Sequence, residues 1–248
     1  MRYQFVDCRW ELGARERGRE LYLAGHIPGA SFLDLETDLS DTSIEGQGRH
    51  PLPSAARFAQ AAGRAGIGEG VFVVAYGSMG GAERLWWLLR HFGHDACAVI
   101  DLASWRGPLE TGAGTEGIAA ATFTPRERKD DVIHAEALSE QLARRQGPGQ
   151  GQGELVLVDA RAANRWRGEP NPVDQPPGRI PGALNAPWSE ASLESVKAIP
   201  GGELVVYCGS GVTACVVLHR AHLAGREGKL YPGSYSDWSK RGLPTQRD

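Results

Sequence analysis

The stretch GHIPGA at residues 25–30 returns as GRIPGA at residues 178–183, which is 153 residues further along the chain. VDCR at 6–9 likewise returns as VDAR at 158–161, 152 residues further along. Two separate matches with nearly the same offset are the signature of an internal repeat. The sequence therefore predicts that one structural unit occurs twice.

A third pair of segments extends the repeat, because VVAY at 73–76 resembles VVYC at 205–208. We predict an N-terminal domain over residues 1–110 and a C-terminal domain over residues 130–248. Residues 111–129 lie between them, are rich in Gly, Thr and Ala, and lack a strong period, so they are interpreted as a linker.

Short apolar runs rich in β-branched residues alternate with amphipathic stretches, which is typical of α/β proteins with a largely parallel sheet. The predicted strands are Tyr3–Asp7, Val71–Tyr76, Ala98–Leu102, Leu155–Asp159, Leu204–Cys208 and a short strand near Leu230. The predicted helices are Ser54–Ala65, Ala82–Phe92, His134–Arg145, Ser192–Ala198 and Val212–Ala224. The Gly-rich run at 147–154 precedes a strand rather than following one, so it predicts a loop and not a dinucleotide site.

The composition is that of an ordinary globular protein, with 41% hydrophobic and 23% charged residues among 248. The chain has 27 Lys and Arg against 30 Asp and Glu, so it offers no excess of basic charge for nucleic acid. No apolar run is long enough to span a membrane, and the first residues lack the apolar core of a signal peptide. We expect a cytoplasmic monomer that needs no cofactor.

The four cysteines favour neither a disulfide framework nor a structural zinc site, because they are scattered and none forms a C-x-x-C pair. Cys208 differs from the others in ending an apolar run, ELVVYC, that is followed by the small residues GSGVT and a predicted helix. In a strand–loop–helix turn the backbone N–H groups point at the loop centre and favour a thiolate there. Cys208 is therefore a candidate nucleophile, and a buried inert cysteine is the alternative.

The motif CGSGVT at 208–213, the duplicated G-[HR]-I-P-G-A and D-x-R motifs, and GSYSDW at 233–238 together resemble the tandem-domain rhodaneses. The sequence is most similar to the 3-mercaptopyruvate sulfurtransferases among them. This resemblance implies two rhodanese-like domains, each a mostly parallel sheet flanked by helices, with a catalytic C-terminal domain and a non-catalytic N-terminal one. The sequence alignment places Tyr76 at the position of Cys208, so the first domain is predicted to lack the nucleophile.

The resemblance also implies a mechanism. Cys208 would take sulfur from 3-mercaptopyruvate as a persulfide, release pyruvate, and pass the sulfur to a thiol, thioredoxin or cyanide. Ser210 would act with a histidine and an acid from the N-terminal domain in moving a proton to the leaving enolate. These match His50, in HPLP, and Glu36, with Asp38 as the alternative.

Substrate binding is also implied by the resemblance. Arg165 matches an arginine that pairs with the substrate carboxylate, and a guanidinium suits that task because its planar fork binds a carboxylate through two hydrogen bonds. A second arginine is expected several residues later, but Val173 lies near that point, so Arg179 is predicted to substitute. Trp10 and Tyr76 match residues that line the substrate pocket. The further residues that match the substrate-binding loop are Gly209, Gly211, Val212 and Thr213.

Alternative functions remain open at this stage. Relatives that use thiosulfate, a dianion, tend to carry basic residues directly after the cysteine, and the neutral Gly209 and Ser210 favour mercaptopyruvate instead. A phosphatase loop would need C-x5-R, but Ala214 stands at the arginine position. A non-catalytic binding module is the remaining alternative. The pair His219 and His222 has a metal-binding spacing but no evident third ligand, so no metal site is predicted.

Overall fold

The computed structural model describes residues 2–114, 119–144 and 155–248. It divides the chain into two compact units, and each contains a four-stranded sheet whose strands are all parallel. This arrangement confirms the predicted α/β fold class and the internal repeat. The Gly-rich loop predicted at 147–154 lies outside the described residues.

The sheet of the first unit has the strand order β2-β1-β3-β4. Its strands are β1 (Arg2–Cys8), β2 (Ser31–Phe32), β3 (Val71–Gly77) and β4 (Cys97–Ile100). Its helices are α1 (Arg17–Ala24), α2 (Ala55–Arg64) and α3 (Gly81–His91), with a 3-10 turn at Leu102–Ser104. Ser54, predicted to start α2, caps that helix by accepting a hydrogen bond from the Arg57 backbone N–H.

The sheet of the second unit repeats this topology as β6-β5-β7-β8. Its strands are β5 (Leu155–Asp159), β6 (Leu184–Asn185), β7 (Glu203–Tyr207) and β8 (Lys229–Leu230). Its helices are α4 (Ala135–Arg144), α5 (Ala163–Arg167), α6 (Leu193–Lys197), α7 (Ala214–Leu223) and α8 (Ser234–Lys240), with a 3-10 turn at Trp188–Glu190. All five residues of β5 are buried, as expected for the central strand of a parallel sheet.

The repeated D-x-R and G-x-I-P-G-A motifs form the same tie in both units. In the first unit Arg9 pairs with Asp7 and donates a hydrogen bond of 2.6 Å to the carbonyl of Gly25. In the second unit Arg161 pairs with Asp159 and donates one of 2.7 Å to the carbonyl of Gly178. Each arginine therefore fastens the loop that carries the glycine to the carboxyl end of a central strand.

The domain boundaries differ from the predicted ones at residues 43–51. The first unit comprises Met1–Thr42 and Leu52–Arg128, and the second comprises Ser43–Pro51 and Lys129–Asp248. The segment 43–51 joins the second unit because its backbone is bonded there: the Arg49 N–H donates to Ser236 Oγ at 3.0 Å. Gly48 approaches the same helix closely, since a Cβ on it would lie 2.5 Å from the carbonyl oxygen of Gly233.

Much of the predicted linker, residues 111–129, packs on the first unit instead of connecting two domains freely. Phe123 is buried and meets Phe58 edge to face at 5.5 Å. The Arg126 N–H donates to the carbonyl of Phe92 at 2.9 Å. An aromatic residue in an otherwise unpatterned stretch was the available signal for this packing.

Among the residues that the structure describes, no helix has the length and apolar character needed to cross a membrane.

Candidate active site

Cys208 lies directly after β7, at the carboxyl edge of the second sheet, and its side chain is buried. Its N–H donates to Ser234 Oγ at 3.1 Å, and its carbonyl accepts from the Tyr235 N–H at 3.0 Å. Ser234 has a φ of 54°, a left-handed conformation that costs free energy in a residue with a side chain. The start of α8 therefore holds the backbone of Cys208 in place, at the cost of local strain.

The loop after Cys208 surrounds its sulfur with hydrogen-bond donors. The Gly211 N–H points at Sγ from 3.1 Å. Burial raises the pKa of Cys208, but hydrogen bonds from the Thr213 side chain and from the backbones of Ser210, Ala214 and Gly211 outweigh it, so the pKa lies below its ordinary value. Because these donors sit at the N-terminus of α7, the arrangement stabilises a thiolate.

Two glycines give the loop its shape. Gly211 has a φ of 80°, and a Cβ on it would lie 2.4 Å from the carbonyl oxygen of Pro232. A Cβ on Gly209 would lie 2.6 Å from Arg49 Nη2 and 2.8 Å from Arg165 Nη2. Glycine at 211 therefore permits the turn, whereas glycine at 209 leaves room for two guanidinium groups beside Cys208.

Thr213→Val should lower the rate at which iodoacetamide alkylates Cys208 at pH 7 by about threefold to tenfold. Removing the hydroxyl raises the pKa of Cys208 and so reduces the thiolate fraction at neutral pH. Above the pKa of both proteins the two rates should converge. The pH profile of alkylation, with Thr213→Ser as the variant that keeps the hydroxyl, checks this, and a slower rate at every pH would contradict it.

Ser210 and His50, which the resemblance implies to act together, are in contact. His50 Nδ1 lies 2.8 Å from Ser210 Oγ, and both side chains are buried. His50 belongs to the segment 43–51, so it contacts the loop as part of the second unit. Because Ser210 is two residues after Cys208, its hydrogen bond with His50 provides a route for a proton to or from the Cys208 loop.

The two candidate acids, Glu36 and Asp38, belong to the first unit and bind arginines there. Glu36 Oε2 lies 3.6 Å from the Arg15 guanidinium, and Asp38 accepts a hydrogen bond of 2.6 Å from Arg64. Burial raises the pKa of Asp38 in spite of the opposing effects of Arg64 and of the Asp34 backbone N–H. The choice between Glu36 and Asp38 as the relay acid stays a prediction.

Arg165 binds a buried aspartate that the sequence analysis did not select. Its Nε and Nη2 donate to the two carboxylate oxygens of Asp174 at 2.6 and 2.7 Å. Arg161 Nη1 donates to the same carboxylate at 3.0 Å. Burial raises the pKa of Asp174, but these arginines lower it by more. The net pKa is therefore below the ordinary value, and the carboxylate stays ionised. The residue next to Val173, where a second arginine was expected, is therefore an aspartate. Its carboxylate positions the Arg165 side chain.

The structure does not support Arg179 as a substitute for that arginine. Its Nη2 donates to Asp248 Oδ1 at 2.7 Å, its Nη1 donates to the Trp166 carbonyl, and its guanidinium lies 4.0 Å from the Trp166 ring centre. These contacts fasten the C-terminal residues to α5. Arg179, the arginine of the GRIPGA motif, therefore has a structural role.

The predicted role of Tyr76 is also changed, because its alignment with Cys208 was wrong by one residue. Tyr76 is fully buried, and its hydroxyl accepts a hydrogen bond of 3.1 Å from the Ile27 N–H. Tyr207 accepts the same bond, also 3.1 Å, from the Ile180 N–H. Tyr76 is therefore the counterpart of Tyr207 in the repeat, and it acts in the core of its own unit.

Shifting the alignment by one residue places Gly77 at the position of Cys208, so the loop of the first unit still lacks a thiol. The shift also pairs Gly80, with a φ of 81°, with Gly211, with a φ of 80°. Trp10, predicted to line the pocket, adjoins that loop of the first unit, where its backbone N–H donates to Ser78 Oγ at 3.1 Å.

Arg49 and Asp174 are the site residues that sequence reasoning missed. Arg49 Nη1 donates to the Val173 carbonyl at 3.3 Å and lies 4.0 Å from Asp174 Oδ1. The two residues are 125 positions apart and belong to no shared motif, so only the folded chain shows that they meet. No group of three or more metal-ligating side chains occurs in the described part of the chain.

Comparison with known proteins adds independent findings. The family model for the rhodanese-like domain matches residues 139–241. The chain is 38% identical to a probable 3-mercaptopyruvate sulfurtransferase of Pseudomonas aeruginosa, over 94% of this chain and 88% of that protein. It is 36% identical to the putative thiosulfate sulfurtransferase SseB of Mycobacterium tuberculosis, over 94% of this chain and 87% of that protein.

A solved structure agrees with these sequence matches. The chain superposes on the 3-mercaptopyruvate sulfotransferase SseA from Escherichia coli with a TM-score of 0.76 and 30% sequence identity. The superposition covers 94% of this chain and 93% of that one. Both units of the chain are therefore included in the match.

Proposed function

Because the chain belongs to the tandem-domain rhodanese family and is a sulfurtransferase, we propose that it transfers sulfur from 3-mercaptopyruvate through a persulfide on Cys208. The observation that carries this proposal is the buried cysteine whose sulfur is surrounded by N–H and hydroxyl donors. A stabilised thiolate is the form that attacks sulfur. The first unit, with Gly77 at the matching position, is the non-catalytic copy.

The proposed reaction has two steps. The Cys208 thiolate attacks the donor's sulfur, an S–S bond forms, and the donor's C–S bond breaks to release the enolate of pyruvate. The enolate takes a proton at its CH2 carbon and leaves as pyruvate. An acceptor thiolate, thioredoxin or cyanide then attacks the outer sulfur, and Cys208 leaves as a thiolate, ready for another cycle.

The contact between His50 and Ser210 supports a proton relay for the first step. Ser210 donates its hydroxyl proton to the enolate carbon, and His50 restores that proton. Glu36 or Asp38 is the acid proposed to orient the histidine. General acid catalysis of this kind contributes about 100-fold or more to a rate.

The charges beside Cys208 favour a donor with one negative charge. The guanidinium groups of Arg49, Arg161 and Arg165 face the carboxylates of Asp159 and Asp174, and the Cys208 thiolate offsets the remaining positive charge. A monocarboxylate such as mercaptopyruvate adds one negative charge to this site, whereas the dianion thiosulfate adds two. Electrostatic complementarity of this kind selects ligands mainly by penalising the wrong charge.

Thiosulfate is the second candidate donor, because two guanidinium groups adjoin Gly209 directly after the nucleophile. The relative from Mycobacterium tuberculosis carries the name of a thiosulfate sulfurtransferase. Attack on thiosulfate would release sulfite, which leaves as an anion and needs no proton on carbon. The two donors therefore differ in their need for the relay.

We expect kcat/KM to be higher with mercaptopyruvate than with thiosulfate when both are measured on the purified chain. His50→Gln should lower kcat with mercaptopyruvate by about 100-fold and change thiosulfate turnover far less, since only the carbon leaving group needs a proton. Steady-state assays of both proteins with both donors make this measurement.

His134→Gln is a matched control, because His134 precedes α4 and plays no part in the proposed relay. It should leave both activities unchanged. A preference for thiosulfate in the native protein would overturn the proposed donor. Equal losses with both donors in His50→Gln would instead show that His50 supports the loop itself rather than proton transfer.

A further inference from the structure

A second guanidinium group lies beside the nucleophile, and it comes from the segment 43–51. The Nη2 atoms of Arg49 and Arg165 would lie 2.6 and 2.8 Å from a Cβ placed on Gly209, the residue after Cys208. Both groups therefore flank one point next to the thiol. Neither the duplicated motifs nor the CGSGVT loop contains Arg49, so its place here depends on how the segment folds onto the second unit.

The backbone around Arg49 is anchored, which fixes where its side chain starts. Its N–H donates to Ser236 Oγ at 3.0 Å. The next residue, His50, contacts Ser210 at 2.8 Å. A guanidinium group on an anchored backbone loses less conformational freedom when it binds a ligand than one on a free loop does.

The donors of Arg49 and Arg165 are used differently. Arg165 directs its Nε and Nη2 at Asp174, at 2.6 and 2.7 Å. Arg49 reaches that carboxylate only at 4.0 Å, and its Nε is buried with no hydrogen-bond partner in the described structure. Burial lowers the pKa of Arg49, and the nearby Asp174 and Cys208 offset this only in part. A buried unpaired donor is costly unless a ligand satisfies it.

We infer that Arg49 binds the carboxylate of the sulfur donor and acts beside Arg165 as the second arginine of the substrate site. This inference rests on the proposed function, since it assigns a residue to the donor site of Cys208. It also accounts for the absence of an arginine near Val173: the second guanidinium group is supplied from a distant part of the chain. Asp174 then holds Arg165 in place while Arg49 keeps a donor available.

Alkylation of Cys208 by two reagents of nearly equal shape tests this inference without a sulfur donor. In both iodoacetate and iodoacetamide the thiolate displaces iodide from a CH2 group, but only iodoacetate carries a carboxylate. Second-order rates at Cys208 are measured by mass spectrometry of its peptide, at a pH above the thiol pKa. Arg49→Gln should lower the rate with iodoacetate by about tenfold and that with iodoacetamide by less than about twofold.

Two further variants complete the test. Arg49→Lys should recover part of the loss, because it keeps the charge but not the planar fork. Arg167→Gln removes an arginine of the same unit that pairs with Glu169, and it should leave both rates unchanged. The unchanged iodoacetamide rate also shows that the loop of Arg49→Gln is intact.

The outcomes separate this inference from the proposed donor. An unaltered ratio of the two alkylation rates in Arg49→Gln would overturn the inference, whichever donor the native protein uses. A fall in the ratio, together with a raised KM for mercaptopyruvate and a nearly constant kcat, would support it. A fall in the ratio without any mercaptopyruvate turnover would support carboxylate binding by Arg49 and refute mercaptopyruvate as the donor.

Discussion

Cys208→Ser should abolish sulfur transfer from either donor, with a loss of about 10⁴-fold or more in kcat/KM. A serine hydroxyl in the same loop stays protonated at neutral pH and cannot store the transferred sulfur as a persulfide. The substitution is nearly isosteric, so the hydrogen bond from the Cys208 backbone to Ser234 can remain. Mass spectrometry after addition of donor should show one added sulfur in the native protein and none in the variant.

Cys97→Ser is the matched control for this experiment. Burial raises the pKa of the Cys97 thiol to about 12, so this cysteine is protonated and unreactive at neutral pH. We expect the control to keep its activity and to gain the added sulfur normally. Activity that survived in Cys208→Ser but disappeared in Cys97→Ser would place the nucleophile in the first unit.

Arg161→Leu should destabilise the second unit by about 3–5 kcal/mol. The Arg161 side chain is fully buried, pairs with both Asp159 and Asp174, and donates to the carbonyl of Gly178. Although burial lowers its pKa, Asp159 raises it more strongly, so the guanidinium group stays charged. Removing it leaves the buried carboxylate of Asp159 without its main partner and takes one of the bonded arginines from Asp174. Urea-induced unfolding, followed by fluorescence, measures the effect.

The control for this prediction is Arg167→Leu, six residues further along the chain at the end of α5. Arg167 is exposed and pairs with Glu169, and exposed ion pairs contribute roughly 0–1 kcal/mol. We expect its unfolding midpoint to stay close to that of the native protein. Similar midpoints for Arg161→Leu and Arg167→Leu would show that the buried cluster contributes little to stability.

The sequence predicted the parts of the fold that have strong local patterns. β5 begins and ends at the predicted residues because its run of apolar residues is buried on both faces. α1 was missed because only Gly18 and Tyr22 are buried among its eight residues, so it shows no continuous apolar face. α8 was missed because it starts at Ser234 in an unusual left-handed conformation, which no periodicity signals.

The site was predictable where its residues share a loop or a motif. Cys208 and Ser210 belong to one short loop, and the resemblance supplied His50, which the structure places on Ser210. The placement of Arg49 and Asp174 was not predictable, because tertiary contacts between distant segments determine it. Tyr76 was misplaced because two similar apolar strands can be aligned one residue apart without a visible penalty in the sequence.

The segment 43–51 has an evolutionary consequence. A gene fragment encoding only residues 129–248 would make a unit without Arg49 and His50, although it would contain the entire CGSGVT loop. Recombination that exchanged the duplicated halves as modules would separate Cys208 from these two residues. Because the proposed function needs Arg49 and His50 beside Cys208, the two halves of the gene are expected to be inherited together.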